Sequence, residues 1–267
     1  METAWRCPVC TGALTEAPGR FVCPKGHSFD RARNGYVNLL LRGGSGQRHG
    51  DDASMVANRR AFLERGYSAP VRDEVLRRLA ANHPGGGRVL DAGCGEGYYT
   101  AAAASLPGTE MIGTDISRAA VRACAGRGID CAVASSARLP LADGSCDGVM
   151  CLFAPLEAGE FRRILRPEGI LITASPLPRH LWSLKATVYD RPYENDPPGE
   201  TVCGFLPAGH TDVEKMLRLP SGEDVLELFR MTPYWYKTSR ADQEKLDSLP
   251  CLETELAVRV AVWRRDG

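Results

Sequence analysis

Two sets of residues have the types and spacing to do chemistry. The first is Cys7-Pro-Val-Cys10 followed by Cys23-Pro-Lys-Gly-His27. Zinc takes sulfur and nitrogen ligands at tetrahedral corners, and a C-x2-C turn presents two thiolates from one knuckle. The second pair returns after a gap that suits a small hairpin, with Pro18-Gly19 as its turn and Phe21-Val22-Cys23 as its returning strand. A segment of about 30 residues buries too little apolar surface to fold unaided, so a metal staple is expected. Cys7, Cys10, Cys23 and His27 fill all four corners, which makes the zinc structural. The second set is Val89-Leu-Asp-Ala-Gly-Cys-Gly-Glu-Gly-Tyr-Tyr-Thr100. A short apolar run enters a glycine turn and an alanine-rich helix leaves it, the place where α/β proteins hold a nucleotide-like ligand. Gly93, Gly95 and Gly97 remove Cβ atoms where backbone must approach a ligand or turn sharply.

The spacing narrows the ligand. A dinucleotide fingerprint reads G-x-G-x-x-G, whereas this loop reads G-x-G-x-G with an acid, Asp91, two residues ahead. Such an acid can face the amino group of a methionine-like ligand. The loop resembles the first motif of the Rossmann-like class I S-adenosylmethionine methyltransferases, which implies an α/β fold with a parallel sheet.

The elements that must position these residues follow in order. Glu110–Ser117 reads as a second strand ending in Asp115, whose carboxylate can accept both ribose hydroxyl protons. Ser117 has the place of an N-cap for a helix from Arg118. A third strand, 130–134, leads to Ser135-Ser136. The methyltransferase class often carries an acid near the position of Ser136, so adenine here is left to backbone groups and hydroxyls. A fourth strand, 147–153, ends in Phe153, which could stack on an extruded base or be core. A fifth, 169–174, precedes Pro178-Arg-His180. The turn-rich stretch 181–230 reads as an insertion facing the substrate, or as core where its aromatics adjoin Leu and Val. The alternating Leu256, Val258, Val260 and Val262 mark a closing strand. Helices are expected over 55–65 and 70–82, with Pro70 in the first turn of the second. Tyr36, Val37, Leu39 and Leu40 are expected to pack the N-terminal module or dock it on the body.

A chain of 267 residues suits one α/β domain plus a small module. The expected division is a zinc-binding module over 1–42, a linker over 43–54, and a methyltransferase domain over 55–267 with an insertion near 181–230. No apolar run reaches the length of about 18 residues needed to span a membrane. The start of the chain lacks the apolar core of a secretory signal, and most of the ten cysteines are scattered singly, which suits a reducing cytoplasm. The 33 basic and 33 acidic residues cancel. Even so, the first 80 residues carry 13 basic and 8 acidic side chains. That imbalance fits a nucleic-acid partner met by one end of the protein, or chance.

Taken together, a zinc knuckle, a linker and a methyltransferase loop resemble the RlmA family, which methylates N-1 of a guanine in a hairpin of large-subunit (23S) ribosomal RNA. The carriers are the two ligand pairs, Gly35-Tyr-Val-Asn-Leu39, Arg59-Arg-Ala-Phe-Leu63 with Gly66, and the loop 93–100. To these add Ala134-Ser-Ser136, Arg138-Leu-Pro140, Ala154-Pro155, Pro178-Arg-His-Leu181 and Met231-Thr-Pro233. The resemblance implies cofactor contacts at Tyr99, Thr100 and His180, and one just past Gly66. There the family pattern has an aromatic at the second position, whereas this chain has Tyr67-Ser68. A resistance-associated branch of the family methylates a neighbouring guanine, and the residues do not separate the branches. A homodimer that builds the RNA cleft stays open. Guanine N-1 carries a proton that must be accepted; His180, Glu157 and Asp196 are candidates, and no catalytic base is assigned. Two other readings compete: a small-molecule methyltransferase with a structural zinc knuckle, and a non-catalytic RNA-binding protein.

Overall fold

The computed structural model describes residues 2–41, 50–83 and 85–267; most of the expected linker, 43–49, lies outside them. The chain opens with β1 (Glu2–Arg6), β2 (Ala13–Ala17), β3 (Arg20–Val22) and β4 (Ser28–Asp30), an antiparallel sheet in that order. Gly19, with φ of +70°, makes the β2–β3 turn. Next comes β5 (Val37–Asn38), which leaves the small sheet and pairs in parallel with β8 (Asp130–Val133) of the body.

The body is one eight-stranded sheet. Its parallel part contains β6 (Gly87–Ala92), β7 (Thr109–Asp115), β9 (Cys146–Leu152) and β10 (Leu165–Pro176) together with β8 and β5. β6 is buried through Val89 to Ala92, as a strand covered on both faces must be. The far edge is an antiparallel hairpin of β11 (Phe205–Leu219) and β12 (Leu252–Arg265), with β12 against β10. Across the sheet the order is β11-β12-β10-β9-β6-β7-β8-β5.

The helices start where the chain supplies caps. Asp52 caps α1 (Ala53–Glu64) by accepting from Met55 N, two residues earlier than the apolar pattern alone predicts. Pro70 stands in the first turn of α2 (Ala69–Asn82), which buries Val71, Val75 and Leu79. Ser117 caps α4 (Arg118–Ala125) by accepting from Ala120 N at 3.1 Å. α3 (Tyr98–Ala103) follows the glycine loop and α5 (Ala158–Ile164) follows β9. The stretch 181–230 is not irregular throughout: it holds α6 (Trp182–Val188), β11 and α7 (Gly222–Arg230), with α8 (Arg240–Asp247) beyond it.

The N-terminal sheet and the body share a core. Trp5 is fully buried, and its indole N–H donates to both carboxylate oxygens of Asp130 at 3.1 Å. Trp5, Leu14 and Phe21 pack in one cluster with Leu90, Ala132 and Leu139. Tyr36, Val37 and Leu39 are buried as expected, whereas Leu40 is exposed. Backbone bonds from Arg6 N to Pro140 O (2.8 Å) and from Leu39 N to Val133 O (2.9 Å) close the joint.

Trp5→Ala removes a fully buried aromatic and leaves the Asp130 carboxyl without its donor. It should lower stability by about 3–5 kcal/mol, read as a shift in the urea midpoint. A loss below about 1 kcal/mol would show that the joint is not cooperative with the body.

Candidate active site and metal centre

From β6 the chain steps outward to β7 and β8, then returns to place β9 on the other side of β6. Such a reversal opens a crevice beyond the carboxyl ends of the strands. Here it is a cleft of about 1350 Å³.

The glycine loop forms one wall. Gly93 and Gly97 have φ of +90° and +88°. A Cβ on Gly93 would stand 2.6 Å from Ala154 Cβ, and one on Gly97 2.8 Å from Cys124 Sγ, so neither position admits a side chain. The end of β7 ties the loop down. Thr114 O accepts from Gly93 N (2.8 Å) and Cys94 N (3.0 Å). Asp115 Oδ2 accepts from Gly95 N (3.0 Å), and its Oδ1 from Ser117 N (2.8 Å). Burial pushes the Asp115 carboxyl up, opposed by these two donors.

Six of the expected cofactor residues line the cleft: Gly93, Gly95, Tyr99, Asp115, Ser136 and His180. Three stand behind its walls. Asp91 is 2% exposed, and Thr100 Oγ1 donates to its Oδ2 at 2.6 Å. The other oxygen, Oδ1, is buried with no partner among the described residues. Tyr67 stacks on Phe62 with ring centroids 4.8 Å apart and donates its hydroxyl to Asp224 Oδ1 at 3.0 Å. The neighbouring Ser68 reaches the cleft instead.

His180 has a definite tautomer. Its Nδ1 accepts from Ala257 N at 3.1 Å, so the ring proton of the neutral form is on Nε2. Burial, then the Lys185 charge, lowers its pKa to about 4. At neutral pH it is an uncharged donor, which removes it from the candidates for accepting the guanine N-1 proton. Glu157 and Asp196 both line the cleft.

The structure gives parts of the wall a place that the sequence pattern left open. Arg59 pairs with Asp51 and donates to Met231 O at 3.0 Å, closing the rim beside Gly95. Phe153 is 48% exposed, with φ of +56° at the end of β9 and its ring 6.4 Å from that of Tyr99. It stands as a cleft-facing aromatic rather than core. Tyr193 to Asp196 and Met231 to Tyr234 complete the far side. Lys185 joins them from below, donating to Asn195 Oδ1 (2.7 Å) and Tyr193 O (3.1 Å) between the Tyr193 and Tyr234 rings.

The four zinc candidates converge. Their ligand atoms lie within 4.8 Å of one another. Cys10 Sγ is 3.6 Å from Cys23 Sγ, and His27 Nδ1 is 3.5 Å from Cys7 Sγ and 3.3 Å from Cys23 Sγ. A zinc tetrahedron with arms of about 2.3 Å to sulfur and about 2.0 Å to nitrogen has edges of roughly 3.5–3.8 Å. The donor set and these distances fit a zinc ion.

Comparison with known proteins agrees. Residues 5–41 match the zinc-ribbon model described as RlmA, N-terminal, and residues 89–169 match a methyltransferase domain. A protein of Micromonospora griseorubida, named provisionally as a 23S rRNA (guanine-N(1)-)-methyltransferase, is 35% identical over 262 residues, spanning 88% of each chain. The chain belongs to the 23S rRNA (guanine-N(1))-methyltransferase family. The family's 23S rRNA (guanine(748)-N(1))-methyltransferase from Streptomyces fradiae is 37% identical over 67% of this chain and 65% of its own. The YcgJ protein of Bacillus subtilis, at 13% identity, shares the fold with a TM-score of 0.50 over 73% of this chain and 99% of its own. The family's fold is thus a class I S-adenosylmethionine methyltransferase with a zinc ribbon, and the chain is a methyltransferase.

Burial pushes the Asp91 carboxyl up to about 7, well above the usual value of about 3.9. The folded chain then keeps a proton that the unfolded chain releases, so stability falls as pH rises from about 4 to about 7. Asp91→Asn should flatten that slope in thermal unfolding of the cofactor-free protein. Parallel slopes for the two proteins would show that Asp91 does not titrate in this window.

Proposed function

We propose that this chain methylates N-1 of a guanine in a hairpin of 23S rRNA. One observation carries the reading: a four-ligand Cys/His cluster and a cleft at the strand ends stand in one chain, matched over 88% of its length by a relative named for that reaction. S-adenosylmethionine, when bound, supplies an electrophilic methyl on a sulfonium for in-line displacement.

The chain's own residues position and exclude water. Gly93 and Gly95 let the cofactor lie against backbone. Asp115 takes the ribose hydroxyls with the lone pairs left free by the Gly95 and Ser117 amides. Ser136 belongs to the adenine end. Tyr99 and the Nε2–H of His180 take the methionine end. Asp91 works from behind the loop: its unpartnered Oδ1 is a buried acceptor for an ammonium, and Thr100 holds its other oxygen. Tyr67 positions the wall through Phe62 and Asp224. Phe153 gives the guanine a stacking face, and Glu157 and Asp196 offer the N-1 proton an acceptor. The relative named for rRNA methylation, matched over 88% of this chain, favours this reading over a small-molecule substrate.

The module, residues 1–42, joined by 43–54 to the catalytic domain, grips RNA together with the basic start of that domain, the two sharing the positive balance of the first 80 residues. Among the described residues no helix is long and apolar enough to cross a membrane. An rRNA substrate places the protein in the cytoplasm. A homodimer that completes the RNA cleft would appear as a doubled mass on adding the hairpin.

Purified protein, labelled S-adenosylmethionine and unmodified 23S rRNA should give one new reverse-transcription stop at a hairpin guanine, because an N-1 methyl blocks Watson–Crick pairing. Cofactor binding with no stop on free rRNA or ribosomal particles would favour a small-molecule substrate. Separately, Asp115→Ala should weaken S-adenosylmethionine at least tenfold, about 1.4 kcal/mol, in calorimetry, with zinc content unchanged. Undiminished affinity would remove Asp115 from the ribose site.

A further inference from the structure

Three cysteines that the zinc centre does not use converge beside the cofactor loop. Cys94 stands between Gly93 and Gly95, Cys124 is on α4, and Cys131 is on β8. Their sulfurs lie within 4.8 Å of one another. Cys131 Sγ donates to Cys124 Sγ at 3.1 Å. Cys124 and Cys131 are fully buried, Cys94 is 7% exposed, and none is in a disulfide.

Glycines keep the space in which these sulfurs meet. A Cβ on Gly113 would stand 3.0 Å from Cys94 Sγ and 3.3 Å from Cys131 Sγ; one on Gly97 would stand 2.8 Å from Cys124 Sγ. The cluster therefore fills room cleared by two separate elements, β7 and the cofactor loop. No histidine or carboxylate joins the three sulfurs within that radius among the described residues.

An all-sulfur donor set is soft. It disfavours magnesium and calcium, which take oxygen ligands, and favours thiophilic ions such as copper(I). Structural zinc almost always takes four protein ligands, and here there are three, whereas the N-terminal centre provides four. We propose that Cys94, Cys124 and Cys131 form a three-sulfur site for a soft monovalent metal ion of the copper(I) class. Binding forms metal–sulfur bonds and releases one proton to solvent for each thiol that ionises; the metal enters as copper(I), so no electron is transferred. Cys94 lines the cleft, which gives the ion a way in. Once bound, the ion ties the loop to α4 and β8.

The test uses the full-length protein carrying its zinc, titrated without oxygen with copper(I) held by a chromophoric competing chelator. We expect one equivalent of copper to bind while one equivalent of zinc stays. Cys124→Ser and Cys131→Ser should each lose the copper and keep the zinc, and Cys146→Ser, buried elsewhere, should keep both. Copper uptake only in step with zinc release, or uptake unchanged in both serine variants, overturns the proposal. Should the serine variants fail to fold by circular dichroism, copper-edge X-ray absorption of the wild-type protein decides. Coordination by sulfur alone, close to three atoms, sustains the site; nitrogen or oxygen in the first coordination sphere overturns it.

Discussion

The turn at the end of β6 is the constraint on which the rest of the cleft depends. There the backbone must swing from a buried strand into a helix while passing close to Ala154 and Cys124, and only glycines at 93 and 97 allow it. The turn cannot hold itself, so the end of β7 holds it. Thr114 supplies a carbonyl and Asp115 a carboxylate, each accepting from loop amides. Asp115 is thus both part of the scaffold and part of the cleft wall. Its two amide donors fix the carboxylate's orientation before any ligand arrives, which lowers the ordering cost of binding.

Much of this was legible in the residues. The glycine spacing, the acids at 91 and 115, the Ser117 cap and the order of the parallel strands follow from local pattern, because buried parallel strands read as apolar runs and caps as short polar side chains. The zinc set was legible for the same reason: its ligands are close in sequence and their chemistry is specific. What stayed hidden depends on long-range contact. Tyr67 has the right place in the chain for a cofactor contact, yet its hydroxyl goes to Asp224, 157 residues away. Arg65 pairs with the same carboxylate and with Glu227 at 3.1 Å, so this acid cluster draws the segment after α1 toward α7. β11 escaped because its middle, Gly209 to Lys215, is polar and largely exposed. An edge strand held by its ladder to β12 needs no apolar face of its own.

The electrostatics of the cleft divide by depth. Deep groups are held uncharged or unpaired: Asp91 with an open oxygen, and His180 with its proton fixed on Nε2. At the rim charges are paired, as in Arg59 with Asp51. Among the described residues these two deep groups are thus free of ion pairs that a ligand would have to break.

The two-residue strand β5 has a consequence beyond its size. It occupies the outer side of β8 and shields backbone amides and carbonyls that would otherwise face solvent as an unpaired edge. Val37 and Leu39 cover apolar surface there as well. The N-terminal segment is therefore also a chaperoning cover for the catalytic sheet. A shortened chain starting after it would present that edge as a template for self-association.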